Sequence, residues 1–416
     1  MQVGATRDGL DPYLDAARRR GLSALLIETP DYLRWREVLG RRAFDQTIAV
    51  EHPSDPPTLI SAIKGKPRLI LAGFERYTAA AHVAAQALGA CPAGQSPDFT
   101  APYKRAQRTA VAAAGLGVHQ PRHVLLDSLA NLPRAAAGLN FPVVVKPGDG
   151  GGGLGVLLVN QPDGLAHAGR LLQEITNYDG GRFEGWLVEE YIKGVEISVQ
   201  GVAQAGEARI LTFCEKLITI EPEGDSLVSS FRESGHIAYP AGEADAVLQQ
   251  FTQRCLTAVG FCHGPFHVDL ISDGRSLQLL EMGFRLSGMR VTELVTLVSG
   301  LDWAEEAFRV HLGEPASHPK PPTGFRYAGH LTMRHPGELE SAKSLPPGSD
   351  EYSIAVQSFT VPALPPPWDQ QLPPSLSSDI GRHAGAVGRV VVQASRPQLV
   401  AQILERCRTG MPMPAA

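Results

Sequence analysis

The stretch FPVVVKPGDGGGGLG, residues 141–155, constrains this chain more than any other. A short apolar, β-branched run, 141–145, reads as a buried strand and ends on Lys146. Gly148 and Gly150 to Gly153 with Gly155 then leave a loop almost bare of side chains, and a second apolar run, 156–159, follows at once. The pattern predicts a hairpin with a mobile glycine tip. Glycines let backbone N–H groups approach a ligand closely, which suits phosphate oxygens, and Lys146 adds a point charge at the strand end. A flexible linker would not be gripped between two apolar strands. Gly148, Gly150 and Gly153 satisfy G-x-G-x-x-G, but a strand rather than a helix follows, which argues against a dinucleotide fold. The Walker pattern is absent because the lysine precedes the glycines.

At 416 residues the chain can hold two to four domains. Its 38 Lys+Arg against 43 Asp+Glu give a formal net charge of −5, which argues against a bulk electrostatic grip on nucleic acid or an anionic membrane. No apolar run is long enough to span a bilayer, and the first residues lack a signal-peptide core, so a cytoplasmic location is expected. Cys91, Cys214, Cys255, Cys262 and Cys407 are odd in number, scattered and without a CxxC pair, which favours free thiols over disulfides or zinc.

Alternating strand and helix signals indicate an α/β (α+β) protein. Helices over 10–20 and 78–89 with strands over 22–28 and 68–72 predict a small open α/β domain ending near Pro97. Glu75 and Arg76 follow a strand end, where open sheets bind ligands, although a solvated turn is the simpler reading. A helix over 101–115 carries Lys104, Arg105 and Arg108, and on its own Lys104 is a surface lysine. Beyond the glycine hairpin come a helix, 165–177, and strands 186–192, 195–202 and 209–216. These carry Glu189, Glu190, Glu196 and Lys216; buried carboxylates are costly without a donor, while alternate exposed glutamates are the plain alternative. Residues 217–232 read as polar and irregular, and FRESGHIAYP, 231–240, as a functional loop carrying Glu233 and His236.

After a helix over 244–259, strands 266–271 and 277–282 flank an Asp273-Gly274 turn. Their Asp269 and Glu281 can fall on neighbouring positions of one face, where paired carboxylates repel unless a cation lies between them; hard oxygens suit Mg²⁺. Arg285 follows four residues later, and Ser287-Gly288 opens a predicted helix over 289–300. Arginine, carboxylates and a helix start make a site for a phosphorylated group, a structural salt-bridge network being the alternative. Asp302 with Glu305 caps a helix over 303–312. Strands over 325–334, 353–361 and 388–394, a proline-rich loop over 361–374, a helix over 397–407 and a frayed tail over 411–416 complete the chain.

Taken together, FPVVVKPGDGGGGLGV, WLVEEYIKGVEISV and LLEMGFRLSG resemble, over about residues 99–315, the ATP-grasp superfamily, and within it the carboxylate–amine ligases, especially the L-amino-acid ligases that make dipeptides. The resemblance implies an N-terminal α/β domain (1–98), a small ATP-grasp subdomain with the glycine loop (99–183), a large one with the metal site (184–315) and a C-terminal β-rich part (316–416). It implies that Lys104 and Lys146 contact ATP phosphates, that Gly150, Gly151, Gly152 and Gly153 form a lid, and that Glu189 meets the adenine amine. Glu190 and Ile192 would meet the ring through backbone, Glu196 the ribose and Lys216 the γ-phosphate. Asp269 and Glu281 would ligate Mg²⁺, with Mn²⁺ able to substitute, and Arg285 would stabilise the acyl phosphate. Glu233, His236, Ser287, Gly288 and Met289 would bind substrate. The implied activity joins a small carboxylate to an amine with ATP, and similar ligases are often homodimers and include makers of antibiotic precursors. Gly283 stands where the pattern usually has a third metal ligand, asparagine, and Phe284 where it has proline. A carboxylase or purine-type ligase would predict a biotin- or nucleotide-specific motif, which is missing; a catalytically silent ATP-binding protein has only Gly283 in its favour.

Overall fold

The computed structural model describes residues 1–90, 95–96, 98–224, 227–360, 362–383 and 385–409. Cys91, the expected boundary at Pro97 and the tail 411–416 lie outside them. The first layer is a parallel sheet of β1 (Gln2–Val3), β2 (Leu25–Glu28), β3 (Gln46–Ala49) and β4 (Leu71–Ala72), in the order β3-β2-β1-β4. Helices Pro12–Arg19 and Thr78–Ala87 match the sequence expectation, whereas β3 and the helices Pro30–Val38 and Pro56–Ala62 were not foreseen. Both of those helices begin with proline after a capping side chain, Thr29 or Asp55, a start signal that the intervening weak periodicity hid.

The second layer is a twelve-stranded sheet among the described residues. Its strands are β5 (His123–Leu126), β6 (Val143–Pro147), β7 (Leu157–Val159), β8 (Trp186–Glu190), β9 (Val195–Gln204), β10 (Glu207–Pro222), β11 (Val228–Pro240), β12 (Gly264–Ser272), β13 (Leu277–Gly283), β14 (Tyr327–Met333), β15 (Tyr352–Ser358) and β16 (Gly388–Ala394). The main path runs β13-β12-β9-β10-β11-β7-β6-β8-β5, and β14 leaves it by pairing with β11 and β16. One correction follows. Residues 217–222 and 228–232 are strand rather than irregular, and 231–240 is not a loop: β10 and β11 form a long antiparallel hairpin, with Lys216 directly opposite His236. The register shift between Leu217 and Ile218 and the polar outward residues masked the alternation.

Helices pack on the apolar sides of the sheets. Val291–Ser299 and Trp303–His311 bury Leu294, Val298, Trp303 and Phe308 against the N-terminal domain's Tyr13 and Leu14. Asp302 caps the second of these through Glu305 N, as expected from sequence. Trp303 Nε1 donates to Gly201 O at 2.9 Å, satisfying the one polar atom of a fully buried indole. The first of the pair starts at Val291, two residues later than predicted, because Met289 and Arg290 are both left-handed (φ 55° and 57°). Helices Pro336–Lys343 and Pro374–His383 were also not foreseen.

The C-terminal strands join the central sheet through close backbone approach at Gly235 on β11. A Cβ there would lie 2.0 Å from His330 O on β14. Gly235→Ala therefore pushes β14 off β11, an overpacking that costs about 1–3 kcal/mol. Urea unfolding of the variant is expected to show a lowered midpoint; an unchanged midpoint would contradict this packing.

Candidate functional site

Five neighbouring strands, β13, β12, β9, β10 and β11, bring their polar residues to one face. Asp269 on β12 is directly opposite Glu281 on β13 and directly opposite Ser198 on β9, so all three share that face. Ser198 Oγ donates to Asp269 Oδ1 at 2.5 Å, and Lys216 Nζ lies 2.6 Å from Asp269 Oδ2. The same ammonium reaches Glu196 at 2.8 Å and Glu233 at 3.3 Å. One lysine thus serves three carboxylates. Burial disfavours its charge, but Asp269, Glu196 and Glu233 outweigh that and hold Lys216 firmly protonated. Burial raises Glu196, an effect that its share of Lys216 does not cancel. Glu281 is paired with Lys104, which also donates to Gly150 O at 2.6 Å. Burial opposes ionisation of Asp269 and Glu281 alike, yet Lys216 and Lys104 hold each below the usual carboxylate range.

A second cluster has the opposite balance. Glu189 on β8 accepts from Arg108 Nε at 2.7 Å and pairs with Lys146 Nζ on β6 at 2.5 Å, all three being buried. Two cations share one carboxylate. Burial alone would raise Glu189, but Arg108 and then Lys146 pull it down to about 2. Lys146 is shifted down by burial despite Glu189, with Arg108 adding repulsion. The cluster carries one positive charge too many for a dry interior, a state that an anionic ligand relieves.

Between these clusters lies the glycine loop. Gly152, Gly153 and Gly155 have φ of 63°, 75° and 71°, a region that side chains disfavour, which accounts for the residue choice there. The loop leans on the N-terminal domain: a Cβ on Gly151 would touch Glu75 Cβ at 3.0 Å. Arg76 Nη1 pairs with Asp149 Oδ2 at 2.7 Å, and its Nε with Asp179 Oδ2 at 2.8 Å. Glu75 pairs with Arg285 Nε at 2.8 Å. The solvated-turn reading of Glu75 and Arg76 therefore fails: both face the site, where the strand-end rule for open sheets had placed them. Arg108, Ser198, Glu75 and Arg76 are the site residues that sequence reasoning left without a role.

The remaining expected residues divide. Glu190 faces away from the clusters, paired with Arg122 at 3.1 Å and accepting from Asn140 N at 2.9 Å. Its backbone N–H donates to Arg122 O, so any ring contact from Glu190 falls to its carbonyl. Ile192 lies just beyond β8. His236 is on β11 with Nε2 3.3 Å from Glu233 Oε1. Ser287 Oγ is buried with no hydrogen-bond partner among the described residues, as a group awaiting a ligand would be. Gly288 is exposed, and Met289 packs against the core shared with Leu286 and Val291 rather than standing free.

The donor set fits Mg²⁺. Among the described residues no three His, Cys, Asp or Glu groups converge on one point, but two hard carboxylates side by side are what Mg²⁺ uses when phosphates complete its shell. At Gly283 the place of a side chain is taken: a Cβ would lie 2.0 Å from His267 Cε1, because His267 is its direct cross-strand partner. Glycine here is the counterpart of an inward histidine.

The strand order, the lysine-bearing hairpin and this face define an ATP-grasp fold. Residues 139–293 match the ATP-grasp domain family. It is 28% identical to human carnosine synthase 1 over 216 residues, covering 50% of this chain and 25% of that protein. It is 30% identical to D-alanine–D-alanine ligase of Ectopseudomonas mendocina over 205 residues, 46% of this chain and 58% of that one. The chain thus spans a quarter of the first of these relatives and under two thirds of the second. An L-amino acid ligase from Bacillus licheniformis shares the fold with TM-score 0.68 and 17% identity, over 98% of this chain and 96% of that one. Carboxyaminoimidazole ribonucleotide synthase from Aspergillus clavatus, complexed with ATP, does so with TM-score 0.67 and 14% identity, over 98% and 97%. Among the described residues no helix is long and apolar enough to cross a membrane.

Two expectations follow. Gly283→Asn destabilises the chain by about 1–3 kcal/mol, and His267→Ala on the same chain recovers most of that loss, read as a double-mutant cycle in urea midpoints; additive effects would contradict the packing. Glu189, depressed from the ordinary 4.5 to about 2, contributes stability that is present above about pH 4.5 and lost as pH falls toward 2. Glu189→Gln starts lower, by about 3–5 kcal/mol because Arg108 and Lys146 lose their partner, and falls less steeply through that window. Equal steepness in acid titrations of both proteins would count against the buried cluster.

Proposed function

We propose that this protein is an ATP-dependent carboxylate–amine ligase, forming an amide through an acyl phosphate, and that its substrates are amino acids joined into a dipeptide or a similar small product. The observation that carries the reading is the charge polarity of the site: an excess buried cation at Arg108–Lys146–Glu189 beside an excess of carboxylates at Asp269, Glu281, Glu196 and Glu233. A nucleotide triphosphate with a divalent cation is complementary to both ends at once. The similar curated proteins include, by name, carnosine synthases and D-alanine–D-alanine ligases, and one structural neighbour is an L-amino acid ligase, which supports this substrate class.

In this reading Lys146 and Lys104 hold phosphate oxygens, and the glycine loop closes over them. Lys146 and Arg108 exchange part of their hold on Glu189 for the incoming nucleotide, and Glu189 accepts from the adenine amine. Glu196 meets the ribose. Asp269 and Glu281 would hold Mg²⁺, which would draw charge off the transferring phosphoryl oxygens. Lys104 and Lys216, each now paired with one of those carboxylates, would be released toward the phosphates with a cation held there. The substrate carboxylate oxygen attacks the γ-phosphorus and ADP leaves. The amine lone pair then attacks the acyl carbon, phosphate leaves with the bonding pair, and the nitrogen gives up one proton to the departing phosphate. Arg285, within reach of the N-terminal domain's Glu75, neutralises the acyl phosphate and the tetrahedral oxyanion. The glycine loop, tied to Arg76 through Asp149, keeps water from the intermediate.

Incubation with Mg²⁺ and ATP across pooled L-amino acids is expected to release ADP and phosphate in an amine-dependent manner, with a condensed product by mass spectrometry. Glu281→Ala and Arg285→Met are each expected to lower the rate by about 100-fold or more, on the scale of removing a group that stabilises transition-state charge. ADP release that yields no amide would overturn the ligase reading.

A further inference from the structure

The substrate side of the site is backed by a chain of polar side chains that runs out of the ATP-grasp sheet into the C-terminal strands. His236 on β11 and His330 on β14 are directly opposite in the ladder, and their rings stack with centroids 5.1 Å apart and planes at 25°. His236 Nδ1 lies 3.0 Å from His330 Nε2. Behind them, Arg389 Nε on β16 donates to His330 Nδ1 at 3.3 Å, and Arg389 Nη1 is held by Glu293 Oε2 at 2.5 Å. In front, His236 Nε2 faces Glu233 Oε1 at 3.3 Å. His236, His330 and Arg389 are all buried, at 2%, 1% and 3% exposure.

The Arg389 end of this chain fixes the protons in it. A guanidinium only donates and does not lose its proton. His330 Nδ1 must therefore be a lone pair, so the ring's single proton is on Nε2. That proton fills the 3.0 Å gap, so His236 Nδ1 must accept it. His236 then carries its own proton on Nε2, pointing at Glu233 and the site. A second proton on either ring would place two hydrogens in one gap. The charged groups around the pair agree. Burial, Arg389 and then His236 push His330 well below the usual imidazole range. His236 is pushed down by burial, against Glu233 and Asp269 and together with Lys216 and Arg389. Arg290 and Asp8 complete the charged surroundings of Arg389.

We propose that Arg389 and His330 are positioning residues that lock His236 as the neutral tautomer protonated at Nε2, so that it meets the substrate as a hydrogen-bond donor and not as the general base. This rests on the ligase reading for its functional part. It assigns His236 to oxygen atoms, of a carboxylate or an acyl phosphate, and leaves proton removal from the attacking amine to other groups. It also gives the C-terminal strands a task in the site, since His330 is on β14 and Arg389 on β16.

The test reads the tautomer directly on the full chain, with no substrate present. Two-bond proton–nitrogen correlation spectra of protein labelled with ¹⁵N-histidine, assigned through His236→Gln and His330→Gln, are recorded from pH about 5.5 to 8. The expected result is an Nε2–H pattern for both rings that does not move across that range, although a free imidazole titrates near 6.5. Arg389→Met is expected to free His330 Nδ1, so that the pair titrates within the range and the fixed pattern is lost; Arg389→Lys, which still donates, retains it. An Nδ1–H or doubly protonated His236 in the unaltered protein overturns the proposal, and needs no variant to fold. A fixed tautomer with no amide formed from any amino-acid pool would instead overturn the ligase reading and leave the lock standing.

Discussion

Lys146, Glu189 and Arg108 form the interaction on which the site depends. Two cations and one carboxylate are buried together, from β6, β8 and the helix Lys104–Ala114, so three elements are fixed relative to one another by a group that cannot be removed without leaving charge in a dry interior. On the reading proposed above, the surplus positive charge is what an anionic ligand would neutralise. At the other end Lys216 holds three carboxylates that would otherwise repel, and Lys104 links Glu281 to the glycine loop. Each of these lysines holds a carboxylate in place, and on the reading proposed above they stand where phosphates and a metal ion would be.

Glu75 and Arg76 bring the N-terminal domain into this arrangement. With Arg285 on one side and Asp149 and Asp179 on the other, a short turn after β4 touches both that arginine and the base of the glycine loop. The glycine loop and Arg285 are therefore linked through one turn that follows the four-stranded N-terminal sheet.

Much of this was legible in the sequence. The glycine hairpin, the facing carboxylates of 269 and 281 and the capped helix at Asp302 follow from local patterns that the structure contains. What was hidden is mostly a matter of partners far along the chain. Arg108 reads as one more basic residue on a helix until Glu189, 81 positions away, is placed beside it. The hairpin of β10 and β11 was obscured because polar residues facing a site look like a loop, and its register shift broke the alternation. Gly283 looked like a missing metal ligand, whereas the structure shows it as the space that His267 requires. Arg389 and His330 carried no signal, since their meaning lies in the direction of hydrogen bonds across three strands.

The central claim is that a carboxylate is activated by taking the γ-phosphoryl group. Amino acids labelled with ¹⁸O in the carboxylate, supplied with Mg²⁺ and ATP, test it most directly through the mass of the phosphate released. One labelled oxygen in each phosphate formed with amide is the predicted result, because the oxygen that attacks phosphorus leaves with it. Unlabelled phosphate would show that water, and not the substrate carboxylate, receives the phosphoryl group.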